Sequence, residues 1–151
     1  TKSVGDLAGA CLFATTMGIS RMLYGKFGEK IDLIKFMLIS GVICVVSYLL
    51  AGLSAMPIWG LAGCVMCGFS VGIMWPGSIS ITAPRIPKGG TALFALLAMA
   101  GDMGGAFGPS VVGYFSQHAG DNLQAGLLTG CIFPLIMLAT LIAMKKMTPE
   151  G

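Results

Sequence analysis

Residues 36–84 carry no charged side chain, an uninterrupted run of 49 between Lys35 and Arg85. As a single helix they would extend about 73 Å at 1.5 Å per residue, more than twice the roughly 30 Å hydrocarbon core of a bilayer. A run this long must fold back on itself. The break signal inside it is Ser54-Ala55-Met56-Pro57, which predicts a tight hairpin there. Composition agrees. Hydrophobic residues make up 56% and charged residues 10%, with 23 glycines besides. Soluble domains sit near 45–50% apolar and about 25% charged. These figures exclude an ordinary soluble enzyme, a nucleic-acid binder and a disordered tail, and they place the chain in a lipid bilayer.

Three further stretches are long and apolar enough to span, so the sequence predicts an all-α polytopic membrane protein with five transmembrane helices, at about 4–24, 34–53, 57–82, 91–115 and 123–144. The cations then alternate by turn. Arg21, Lys26, Lys30 and Lys35 fall between the first and second spans, Arg85 and Lys88 between the third and fourth, and Lys145 and Lys146 after the fifth. Lys2 alone falls on the other side. By the positive-inside rule the cationic side is cytoplasmic, which puts the C-terminus inside a plasma or inner membrane. Trp59 and Trp75 stand about 24 Å apart along a helix, a spacing that suits two interfacial anchors. An odd number of spans with an outside start at Thr1 leads us to expect a fragment or a processed chain.

Cys64-x-x-Cys67 lies in an apolar helix without a second ligand pair, so the cysteines are expected to pack between helices rather than hold a metal. No cofactor motif is present. His118 falls in an outer turn and is expected to be solvated.

Glycine concentrates in two spans. The third holds Gly60, Gly63, Gly68, Gly72 and Gly77, and the fourth Gly101, Gly104, Gly105, Gly108 and Gly113. Glycine weakens a helix, so its accumulation needs a reason, and in a bilayer the reason is close backbone approach. The third and fourth spans, with the first, are therefore expected to face other helices or a cavity, and the second and fifth to face lipid more. Pro76 and Pro134 inside spans predict kinks, as does Pro109 after Gly108. Asp102 lies eleven residues into the fourth span, about 16 Å deep. An ionised carboxylate at that depth is costly, which makes Asp102 a candidate for proton coupling or for an inter-helix contact.

These residues resemble a family. Gly25-Lys26-Phe27-Gly28-Glu29-Lys30, preceded by Arg21, is similar to the short basic loop motif of the major facilitator superfamily, with Gly25 where the motif has aspartate. Gly104-x-x-x-Gly108-Pro109-x-x-x-Gly113, with Gly101 and Gly105, resembles that family's glycine-proline helix motif. The run from Gly68 to Trp75-Pro76, followed by Ser78 and Ser80, resembles the tenth helix of fucose-permease-like sugar transporters. The resemblance implies that the chain is part of the C-terminal six-helix half, covering helices eight to twelve. It implies a tenth helix lining a central cavity through Trp75, Ser78 and Ser80, with the eighth and eleventh between the halves and the ninth and twelfth peripheral. It also implies a basic loop of Arg21, Lys26, Gly28 and Lys30, and it makes the absent N-terminal half of the same transporter a partner.

The expected activity is secondary transport of a small polar solute, a sugar or related metabolite, by alternating access, with proton symport as a candidate coupling. A self-contained five-span scaffold or subunit without transport is the alternative. An intramembrane enzyme is disfavoured, because the spans offer no Ser/His or paired-Asp arrangement in register.

Overall fold

The computed structural model describes residues 2–28, 31–54 and 56–147, without the side chains of residues 2–4 and 6. They form α1 (Lys2–Phe27), α2 (Leu33–Leu53), α3 (Pro57–Val71), α4 (Met74–Arg85), α5 (Gly90–His118), α6 (Leu123–Gly130) and α7 (Ile132–Met147), with no strand among the described residues. The α3–α4 and α6–α7 pairs are single spans broken once. Five segments are therefore long and apolar enough to cross a bilayer: Leu7–Phe27, Leu33–Leu53, Pro57–Arg85, Gly90–His118 and Leu123–Met147. Each contains nearly all of the corresponding predicted span.

The turns follow from local chemistry. Asp32 caps α2 by accepting from the Lys35 amide at 3.3 Å, and its carboxylate meets Lys35 Nζ at 2.9 Å. Pro57 opens α3, where a missing N–H costs nothing. Gly120, at φ 75°, turns the chain out of α5, and Asn122 caps α6 by accepting from the Gln124 amide at 3.0 Å. The hydrogen bond from Lys35 holds the Asp32 carboxyl below its ordinary range. Its contribution to the α2 start is therefore present at neutral pH and lost only as the pH falls through that lowered value. In Asp32→Ala the Lys35 amide is expected to exchange faster at neutral pH, a difference that shrinks on acidification; amide exchange against pH measures it.

The spans run up and down. Gln124 Nε2 donates to the Ser54 carbonyl at 2.8 Å and ties the two turns at one end. Met37, Ile81 and Leu141 form a buried cluster toward the other. At that second end lie Lys26, Lys35, Arg85, Lys88, Lys145 and Lys146, so the described cations apart from Lys2 and Arg21 gather on one side of the bundle. Lys30 lies outside the described residues.

Pro76 and Pro134 do break their spans. Each lacks the N–H that would bond the carbonyl four residues back, and the helices stop at Val71 and at Gly130. Pro109 leaves α5 continuous.

The packing of the second span differs from expectation. Met37, Ser40, Gly41, Cys44, Ser47 and Gly52 are buried along one face of α2, at helical spacing. Ile39, Val42, Val46, Leu49 and Leu53 on the other face are exposed, as lipid-facing residues are. Leu138 of α7 lies over Gly41, and Leu128 of α6 over Gly52. The second and fifth spans thus pack closely together, and serine, cysteine and glycine act there as one class of small residue. The fourth span is the reverse: α5 has no buried residue.

Candidate functional site

α4 and α5 approach each other only lightly, and between them lies an open groove of about 260 Å³. Trp75, Ser78 and Ile79 line one wall and Leu97, Ala100 and Gly101 the other. The break at Gly72–Ile73 creates it. Trp75 and Ser78 fall within the first turns after the break, where α4 starts afresh toward α5. Gly101 lets the indole in: a Cβ there would lie 3.3 Å from Trp75 Nε1. Trp75 is 51% exposed, so much of its ring faces the opening.

The structure thus brings together Trp75, Ser78 and Gly101, and separates Ser80 from them. Ser80 Oγ accepts from Tyr24 Oη at 3.2 Å, on the side of α4 that faces α1. Ser78 Oγ donates to the Met74 carbonyl at 2.7 Å, so its proton is committed within its own helix. The groove wall is therefore mainly aromatic and aliphatic, with few free polar groups. Trp59 begins the third span, and Trp75 lies ten residues before that span's other end.

Asp102 stands near the middle of the 29-residue α5 and is exposed. Among the described residues its carboxylate has no hydrogen bond or ion pair in the structure. Gly105 and Pro109 follow it at helical spacing and are exposed as well. Around Gly104, Gly105, Gly108 and Gly113 a Cβ would meet nothing within 4 Å. The glycine-proline motif, expected at a helix contact, is uncovered within this chain apart from Gly101.

The residues expected in a basic loop are distributed otherwise. α1 continues to Phe27, so Arg21 lies inside a helix, and its Nε donates to the Gly72 carbonyl at 3.3 Å. Lys26 sits over the Phe27 ring, 5.6 Å from its centroid. Gly28 makes room for the Tyr24 ring, which a Cβ would meet at 2.8 Å. Sequence reasoning missed Tyr24 altogether; its place three residues after Arg21, on the same helix face, was the available signal.

Comparison with known proteins fits this architecture. The family profile described as Major Facilitator Superfamily matches residues 2–150. The multi-drug resistance efflux pump PmrA of Streptococcus pneumoniae serotype 4 (strain ATCC BAA-334 / TIGR4) is 27% identical over 145 residues, 89% of this chain. PmrA of Streptococcus pneumoniae strain ATCC BAA-255 / R6 matches to the same extent. The chain spans about 36% of the length of these curated relatives. No solved structure gives a significant match. Five membrane-spanning helices in a partial major facilitator fold, matched almost end to end by the family profile, make this chain a member of the Major Facilitator Superfamily of membrane transporters.

Proposed function

We propose that the five spans are helices eight to twelve of a secondary transporter that moves small amphipathic organic solutes by alternating access. The single observation that carries this reading is the groove at Trp75, Ser78 and Gly101, open beside a broken helix and set within two spans. An indole face with aliphatic neighbours favours solutes with apolar or aromatic surface. The efflux pumps that the chain resembles are named for multi-drug resistance, which supports the same solute class and outward movement. A sugar has less support, because Ser80 is turned away and the Ser78 proton is already bonded. The C-terminus is assigned to the cytoplasm by the cationic turns, in a plasma or inner membrane. The uncovered face of α5 is assigned to contact with the remaining spans of the same transporter, which the short coverage of the relatives supports.

The test is Trp75→Ala in the whole transporter. With a panel of lipophilic cations and dyes as probes, the apparent affinity is expected to fall at least tenfold while the protein reaches the membrane normally. Conservative Trp75→Phe should keep most of it. Unchanged handling of every probe that the wild type transports would remove the groove from the solute path. A five-span chain found complete without further spans, and moving no solute, would favour the scaffold reading instead.

A further inference from the structure

Pro76 has no N–H, so the Gly72 carbonyl, four residues back, lacks the donor that a continuous helix would supply. A carbonyl left bare in a bilayer is costly, because no water replaces the bond. In this structure the missing donor comes from another span: Arg21 Nε of α1 reaches the Gly72 carbonyl at 3.3 Å. We propose that Arg21 is a positioning residue that replaces the hydrogen bond Pro76 deletes, and so fixes the break that points Trp75 and Ser78 into the groove.

Three further observations bear on it. First, the approach is built. A Cβ on Gly72 would lie 2.8 Å from the Met17 carbonyl and 2.9 Å from Ser20 Cβ, so only a residue without a side chain lets α1 this close to the freed carbonyl. Second, α1 and the third span run in parallel register. Gly68 lies against Phe13, Gly72 against Met17 and Ser20, and Tyr24 bonds Ser80 at 3.2 Å. Arg21 and Tyr24, three residues apart, therefore hold α4 at its start and again two turns on. Third, helical order resumes at once past the break, where the Gly77 amide bonds the Ile73 carbonyl at 2.8 Å. Among the described residues Arg21 shows no carboxylate partner. A guanidinium held inside a membrane helix thus has the backbone carbonyl as its visible task, one that a planar, always-charged donor suits.

The consequence for Trp75 and Ser78 rests on the transport reading above; the replacement of one donor by another does not. The experiment is amide hydrogen exchange of the purified whole transporter, read by mass spectrometry on peptides covering residues 69–82. Arg21→Gln is expected to speed exchange at Ile73–Gly77 by tenfold or more, while peptides of α2 stay unchanged. Arg21→Lys, which keeps a cationic donor, should recover part of the protection. The deciding variant is Pro76→Ala, which restores an N–H to the Gly72 carbonyl. In that background Arg21→Gln should change exchange less than twofold. An unchanged Ile73–Gly77 peptide in Arg21→Gln, or an equal effect in both backgrounds, would overturn the proposal. The second result would mean that Arg21 merely holds α1 to its neighbour. If the protein moves no solute, the transport reading falls and this measurement still decides the role of Arg21.

Discussion

Gly68→Ala is expected to force α1 away from α3 and to destabilise the bundle by about 1–3 kcal/mol, the usual cost of overpacking. A Cβ at position 68 would lie 2.5 Å from the Phe13 carbonyl oxygen, 2.5 Å from Thr16 Oγ1 and 3.0 Å from Phe13 Cα. Two of those atoms are backbone and cannot rotate aside. The helix must translate instead, and with it the register that sets Arg21 on Gly72. Thermal unfolding in detergent reads the loss. Gly104→Ala is the matched comparison, because its Cβ would meet nothing within 4 Å. In the 151-residue chain it should be neutral or stabilising, by up to about 1 kcal/mol from helix propensity. In the whole transporter, a larger residue at Gly105, beside Asp102, should become destabilising if other spans cover that face. Equal costs for Gly68→Ala and Gly104→Ala would remove the distinction between a packed and an open glycine helix.

Asp102→Asn should have the largest effect on function. The carboxylate lies near the middle of α5 with no hydrogen bond or ion pair among the described residues. Insertion scales put an acidic side chain at a helix centre at about 2.5–3.5 kcal/mol, so a carboxylate kept at that place calls for a function. In the whole transporter, Asp102→Asn is expected to reduce solute movement driven by a proton gradient at least tenfold and to leave solute exchange without a gradient largely intact. Asp102→Glu should retain part of the driven movement. Proton-driven transport unchanged by Asp102→Asn would take this residue out of coupling and leave it as a helix-contact residue.

The spans were legible because bilayer thickness fixes them. Charge-free length, the turn at Pro57 and the placement of cations are one-dimensional signals, and the helices follow them closely. Which face of a span is covered is not written so simply. α2 has few glycines, yet its Ser40, Gly41, Cys44 and Ser47 form a seam that a count of glycine alone overlooks. α5 has many, and within this chain they meet almost nothing. Trp75 and Ser78 could be singled out from their place around Pro76. That they meet Gly101, while Ser80 turns to Tyr24, depends on how α4 restarts after the break. Arg21 looked like a loop cation because it lies near other cations in the sequence. Its task depends on a carbonyl 51 residues away.

Single-cysteine labelling in sealed, right-side-out vesicles, with all native cysteines replaced, tests the central claim most directly. Cysteines at Lys88, His118 and Ser78 in the whole transporter would each be exposed to a membrane-impermeant maleimide. The account predicts that position 118 reacts from outside and that position 88 reacts only after permeabilisation. Position 78, in the groove wall, should react from either side and be protected by a transported solute. Positions 88 and 118 labelled from the same face, or position 78 silent from both sides, would contradict it.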